Sequence, residues 1–126
     1  MTHQLLQSMK KLFLLLLFIF HLSVVIGQTT KGKASYYAKK FEGRRTASGE
    51  KFSNLKMTAA HKKLPFGTKV KITNINNNKT VIVTINDRLP KKSKRIIDLS
   101  QAAAKELDFL KAGIVTVTME ILPPFP

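Results

Sequence analysis

Thr80-Val-Ile-Val-Thr-Ile-Asn-Asp-Arg88 decides how the chain folds. Val81, Val83 and Ile85 occupy the odd positions, and Thr80, Thr84 and Asn86 share the other face with Ile82. Apolar residues recurring every second position mark a half-buried strand. The same period runs through Val115, Val117, Met119 and Ile121, with Thr116, Thr118 and Glu120 opposite, and through Val70 and Ile72 between Lys69, Lys71 and Thr73. Residues 32–38 and 57–60 are shorter strand candidates. Asn76-Asn77-Asn78 reads as a hairpin turn, because Asn tolerates the left-handed conformation. One helix interrupts the strands: Ser100 is a good N-cap, residues 101–107 are strong helix formers, and Gly113 marks the exit. Strands this short dispose of their edges best by closing, so the expectation is a small, mainly β barrel with one short helix.

Length and composition narrow the chemistry. A chain of 126 residues holds one domain. It has no Cys, which excludes disulfides, thiol nucleophiles and thiolate metal sites. Of the three histidines, His3 and His21 fall in the N-terminal leader, so His61 alone remains for the domain and a multi-histidine zinc centre is excluded. No metal or cofactor is therefore expected. Twenty-two Lys and Arg against seven Asp and Glu give a formal charge of +15, which points to a polyanionic partner.

Lys10-Lys11, the apolar run from Leu12 to Ile26 and the small Gly27 form the pattern of a secretory signal. The run is short for a membrane span, and His21 and Ser23 interrupt it. The expected division is thus a signal peptide over residues 1–27 and a barrel domain over 28–126, exported to the periplasm or cell envelope without stable membrane insertion. With no Cys after the leader, lipid attachment there is not expected.

Seven carboxylates are candidates for chemistry. Glu106 and Asp108 lie on or beside the helix, and Glu120 falls on the polar face of the last strand. That leaves Glu42, Glu50, Asp87 and Asp98. By parity Asp87 continues the series Val81, Val83, Ile85 to the point where Pro90 ends the strand. A carboxyl at an apolar rim has its pKa raised by desolvation and suits a general acid. The competing reading pairs Asp87 with Arg88 or Arg95 to shape a turn. Asp98 stands two residues before Ser100, where a negative charge favours a helix N-terminus. Tyr36, Tyr37, Phe41 and Phe52 can stack on sugar rings or serve as core. Lys91, Lys92, Lys94 and Arg95 form either a solvated loop or a basic rim.

Five segments in order carry a resemblance to a known family. They are Gly32-Lys-Ala-Ser-Tyr-Tyr37; Gly43-Arg-Arg-Thr-Ala-Ser-Gly-Glu50 with Phe52; Thr58-Ala-Ala-His61 with Leu64-Pro-Phe-Gly-Thr68; Ile85-Asn-Asp-Arg88 with Pro90; and Arg95-Ile-Ile-Asp-Leu-Ser100 with residues 102–104 all Ala. Together, from about Gly32 to Leu122, they resemble the rare lipoprotein A (RlpA-like) family. The resemblance implies a six-stranded double-psi β-barrel and a lytic transglycosylase that cuts the MurNAc–GlcNAc bonds of peptide-free peptidoglycan strands, leaving 1,6-anhydro ends. It implies Asp87 as the catalytic acid and His61 as a second catalytic residue that orients or tunes Asp87 or hydrogen-bonds the sugar, with Tyr37, Glu50, Arg88 and Asp98 as substrate-binding or structural positions. Two sites depart from the family pattern: Leu89 stands where Gly is usual, and Tyr36-Tyr37-Ala38 replaces Trp-Tyr-Gly. No C-terminal SPOR domain is expected. Peptidoglycan strands are the expected ligand, with divisome or wall-remodelling proteins as protein partners. An expansin-like, non-catalytic wall-binding module is the alternative. Nucleic acid is not expected, since no aromatic–basic recognition motif accompanies the charge.

Overall fold

A computed structural model describes residues 2–23 and 29–124. Helix α1 spans His3–Ser23, and the expected cleavage point at Gly27 lies outside the described residues. Among the described residues no helix is long and apolar enough to cross a membrane.

Six strands follow: β1 (Thr29–Tyr36), β2 (Thr58–Ala60), β3 (Lys69–Asn74), β4 (Thr80–Asp87), β5 (Ile97–Leu99) and β6 (Val115–Ile121). They close into a barrel in the order β1-β5-β2-β4-β3-β6. The β1/β5 and β2/β4 contacts are parallel and the remaining four antiparallel. The expected barrel is thus present, and its alternation holds except at Asn86, where β4 bulges. Val70, Ile72, Val83, Ile85, Val117 and Met119 point inward and are buried, joined by Leu107 and Phe109.

Helix α2 (Gln101–Glu106) begins where the sequence places it. Ser100 is fully buried, and its Oγ accepts the Ala103 N–H at 3.2 Å. The Asn-rich hairpin also forms, closed by Asn78 at φ 61°. Asn74 stabilises it twice: Oδ1 accepts the Asn76 N–H at 3.0 Å, and Nδ2 donates to the Leu107 carbonyl at 2.8 Å. The second bond ties the β3–β4 turn to the end of α2.

Strand β5 is the element that pattern reading alone did not find. Three residues are too few for a period to show, and Ser100 beside them draws the eye to the helix. Its register nevertheless sets up one end of the barrel. Ser35 pairs with Asp98, Asp98 with Ala60, and Ala60 with Asp87, a row across four neighbouring strands.

Gly32 packs its backbone against Ile96, and an added Cβ would lie 2.5 Å from Ile96 Cγ2. Gly32→Ala should therefore destabilise the domain by about 1–3 kcal/mol through overpacking. A lower denaturant midpoint at unchanged slope checks this.

Candidate active site

The row Ser35–Asp98–Ala60–Asp87 faces a cleft of about 640 Å³ at one end of the barrel. Ala60 has no side chain beyond Cβ, so the two carboxylates flank a shallow floor. Walls come from Tyr37, Phe41 and Phe52 on one side and from Arg88, Leu89 and Pro90 on another, with Arg44, Arg45 and Arg95 also lining the space.

Asp87 reaches this cleft by a route that parity did not anticipate. The β2/β4 register shifts so that Ala59 faces Ile85 while Ala60 faces Asp87, leaving Asn86 as an extra residue. Such a bulge re-aims the side chain that follows it. Asn86 is buried and Asp87 turns into the cleft. The apolar surroundings expected at the rim are replaced by hydrogen-bond donors. Oδ1 accepts the main-chain N–H groups of Ala47 and Arg88, both at 2.9 Å. Oδ2 accepts the Tyr37 hydroxyl at 2.5 Å. Neither Arg88 nor Arg95 forms an ion pair with it among the described residues.

The two oxygens are not equivalent. Backbone N–H groups only donate, so Oδ1 is committed as an acceptor. A phenol both donates and accepts. A proton on Asp87 therefore belongs on Oδ2, with the Tyr37 hydroxyl turning to receive it. Tyr37 is held for this role by stacking on Phe52, with ring centroids 4.1 Å apart, and by the edge of Phe41 at 5.8 Å. Burial pushes its hydroxyl pKa well above the usual phenol range, and the bond to Asp87 and the charges of Asp87 and Asp98 push it further. Tyr37 thus stays protonated. Its neighbour Tyr36 goes elsewhere, with its ring against Phe109 and its hydroxyl on the Leu110 carbonyl.

Asp98 is occupied differently. Arg95 Nε donates to Oδ1 at 2.7 Å and its Nη2 to Oδ2 at 3.1 Å, while Ser35 Oγ donates to Oδ1 at 2.6 Å. The carboxylate beside the helix N-cap serves the cleft floor. Arg88 lays its guanidinium over the Phe66 ring, 4.1 Å from the centroid. Glu50 is exposed and does not line the cleft; its carbonyl closes the Thr46–Glu50 turn by accepting the Thr46 N–H at 2.8 Å.

The His61 ring does not line the cleft either. Nδ1 accepts the N–H groups of Lys63 and Leu64, both at 3.0 Å, so the ring caps the turn leaving β2. The neutral ring then carries its proton on Nε2. Through its backbone His61 clasps the Asp87 segment: its N–H donates to the Asp87 carbonyl at 3.2 Å, and its carbonyl accepts the Leu89 N–H at 3.4 Å. Burial lowers the ring pKa, and Arg88, Lys62 and Lys63 lower it further. A folded-state pKa below the unfolded value means the unfolded chain binds the proton first as pH falls. Stability present above about pH 6.5 is therefore lost as pH drops through that value and below. His61→Asn, whose amide oxygen can cap the same turn, should flatten this part of the profile of melting temperature against pH.

Known proteins match this fold and its residues. The pattern of the lytic transglycolase family matches residues 29–119. An endolytic peptidoglycan transglycosylase RlpA from Haemophilus influenzae is 52% identical over 92 residues, covering 73% of this chain and 32% of that protein. Its counterpart from Campylobacter jejuni is 44% identical over 99 residues, covering 79% of this chain and 36% of that protein. The chain thus spans about a third of the length of these relatives. Among solved structures, a Streptomyces papain inhibitor superposes with a TM-score of 0.64 at 27% identity, over 79% of this chain and 99% of the inhibitor. A closed six-stranded barrel that carries this family pattern over most of its length belongs to the lytic transglycolase family of double-psi β-barrels.

Proposed function

We propose that this domain is an endolytic transglycosylase of peptidoglycan, exported to the cell envelope, with Asp87 as its single acid–base group. The observation that carries the reading is the asymmetric setting of Asp87. One oxygen is anchored by two main-chain N–H groups, and the other meets a hydroxyl able to reverse its bond. The second cleft carboxylate, Asp98, is engaged by Arg95 and Ser35 and is not available as a base. Hydrolytic glycosidases usually need two working carboxylates. A transglycosylase needs one.

In the proposed cycle, Oδ2 of Asp87 gives its proton to the glycosidic oxygen between MurNAc and GlcNAc. The bond from the muramic C1 to that oxygen breaks through an oxocarbenium-like transition state, and GlcNAc leaves as the free alcohol. The Asp87 carboxylate then removes the proton from the muramic C6 hydroxyl as its oxygen bonds to C1. The product is a 1,6-anhydro ring, no water is consumed, and Asp87 is protonated again. Tyr37 keeps Oδ2 oriented through both halves: it accepts the Oδ2 proton in the resting acid, and as that proton turns to the glycosidic oxygen the Tyr37 hydroxyl turns to donate to Oδ2. His61 supports the geometry from behind, through the turn it caps and the backbone bonds it makes. Leu89, 5% exposed, adds an apolar wall where the family usually has Gly. Residues 1–27 act as the export signal in this reading, and localising proteins of the division or wall-remodelling machinery are its partners.

Incubating the domain with intact and amidase-stripped sacculi, followed by mass spectrometry of soluble products, tests the reaction. Anhydro-sugar products one water lighter than hydrolysis products are expected. Asp87→Asn should cut their release by about 10²–10⁴-fold with the circular dichroism spectrum unchanged. Tyr37→Phe keeps the stack on Phe52 and removes the hydroxyl; a loss of roughly 10–100-fold in turnover is expected for one bond to a charged group. Fully hydrated products would replace the mechanism with hydrolysis. Binding without product would leave an expansin-like wall-binding module.

A further inference from the structure

Four arginines line the cleft, and three of them are already committed. Arg95 is forked onto Asp98. Arg88 lies on Phe66 and points Nη1 at the carbonyls of His61 and Asp87, both at 3.4 Å. Arg45 Nη1 donates to the Gly49 carbonyl at 2.9 Å. Arg44 differs. Its guanidinium sits 5.2 Å from the centroid of Phe41 and has no ion pair or hydrogen bond among the described residues. Lys40 Nζ lies 5.4 Å from the same ring. Glu42, between them in sequence, turns its carboxylate to the Asn54 N–H at 2.8 Å. Two cations thus share one aromatic ring at the cleft wall, and neither has an ion pair among the described residues.

A guanidinium resting on an aromatic face is oriented but not neutralised. Its edge still presents N–H groups in a fork that matches a carboxylate. We propose that Arg44, seated on Phe41, binds a free carboxylate carried by the glycan strand and makes the cleft selective for strands that bear one. The inference rests on the glycan reading above. Peptidoglycan offers two sources of this chemistry. One is the lactyl carboxylate of a muramic residue whose peptide is missing; the other is a carboxylate of an attached peptide. When a peptide is attached, the lactyl carboxylate is consumed in an amide and loses its charge.

Binding is measured in the Asp87→Asn protein, so that no strand is cut, with three ligands. These are peptide-free strands, the same strands with lactyl carboxylates converted to methylamides, and peptide-bearing strands. Arg44→Gln should weaken binding of a carboxylate-bearing strand by roughly tenfold, as expected for a charge-assisted bond on a partly screened surface. It should leave the methylamidated strands unchanged. A loss confined to peptide-free strands assigns the lactyl group; a loss confined to peptide-bearing strands assigns the peptide. Arg44→Lys, which keeps the charge but not the fork, should fall between. Equal binding by the Gln variant and its parent overturns the proposal, as does an equal loss on methylamidated strands, since Arg44 would then be a sugar platform. Absence of anhydro products from the Asp87-containing protein would remove the catalytic reading and leave this binding result standing. Failure to bind any strand removes both.

Discussion

The Asp87 carboxylate ties three pieces of chain together at one point. Its Oδ1 holds the Thr46–Glu50 turn through the Ala47 N–H and begins its own exit turn through the Arg88 N–H. Its Oδ2 holds Tyr37, at the end of β1, and with it the stack on Phe52 and the edge contact with Phe41. The cleft walls are therefore organised around the group proposed as the acid. A bulge at Asn86 makes this possible, because an unbroken alternation would leave the carboxyl among the core residues that precede it. The neighbouring row through Ala60 to Asp98 and Ser35 extends the same arrangement across the sheet.

Much of the barrel was legible because its long strands obey local rules. Period-two burial in β3, β4 and β6, the Ser100 cap and the Asn78 turn each follow from residues within a few positions of one another. Closure into six strands with a double-psi path came from the resemblance of five ordered motifs, since pairing partners far apart in sequence leave no periodic trace. Strand β5 escaped pattern reading for that reason: Ile97-Asp98-Leu99 becomes a strand only because β1 and β2 flank it. The site was legible in its members more than in its contacts. Asp87, Tyr37, Arg88 and Asp98 meet at the cleft, while His61 and Glu50 serve the turns beside it. The Tyr37–Asp87 bond, spanning fifty residues, had no sequence signal. The bulge hid Asp87's surroundings, because parity assumes one residue for each rung. Arg44 stood within a motif used for recognition, and its setting on Phe41 appears only in three dimensions.

Charge divides into two kinds. The cleft acids are spent locally, Asp98 on Arg95 and Asp87 on hydrogen bonds. The described ion pairs are that one and a 3.8 Å contact between exposed Lys79 and Asp108, which screening renders nearly worthless. Most of the 22 cations therefore face solvent without partners. Their summed field reaches about 10 Å at moderate ionic strength, enough to concentrate the protein against an anionic polymer before any specific contact forms.

A closed barrel has no terminal rung from which to fray. β2 and β5, each three residues long, are hydrogen-bonded on both sides, and they carry Ala60 and Asp98, while their neighbours β4 and β1 carry Asp87 and Ser35. Opening the cleft floor therefore requires opening the whole ring of strands. The amides of this row are therefore expected to exchange with global rather than local opening. Cleft geometry and folded state are in this sense expected to form one cooperative unit: on heating, the cleft floor should disappear with the fold rather than soften ahead of it.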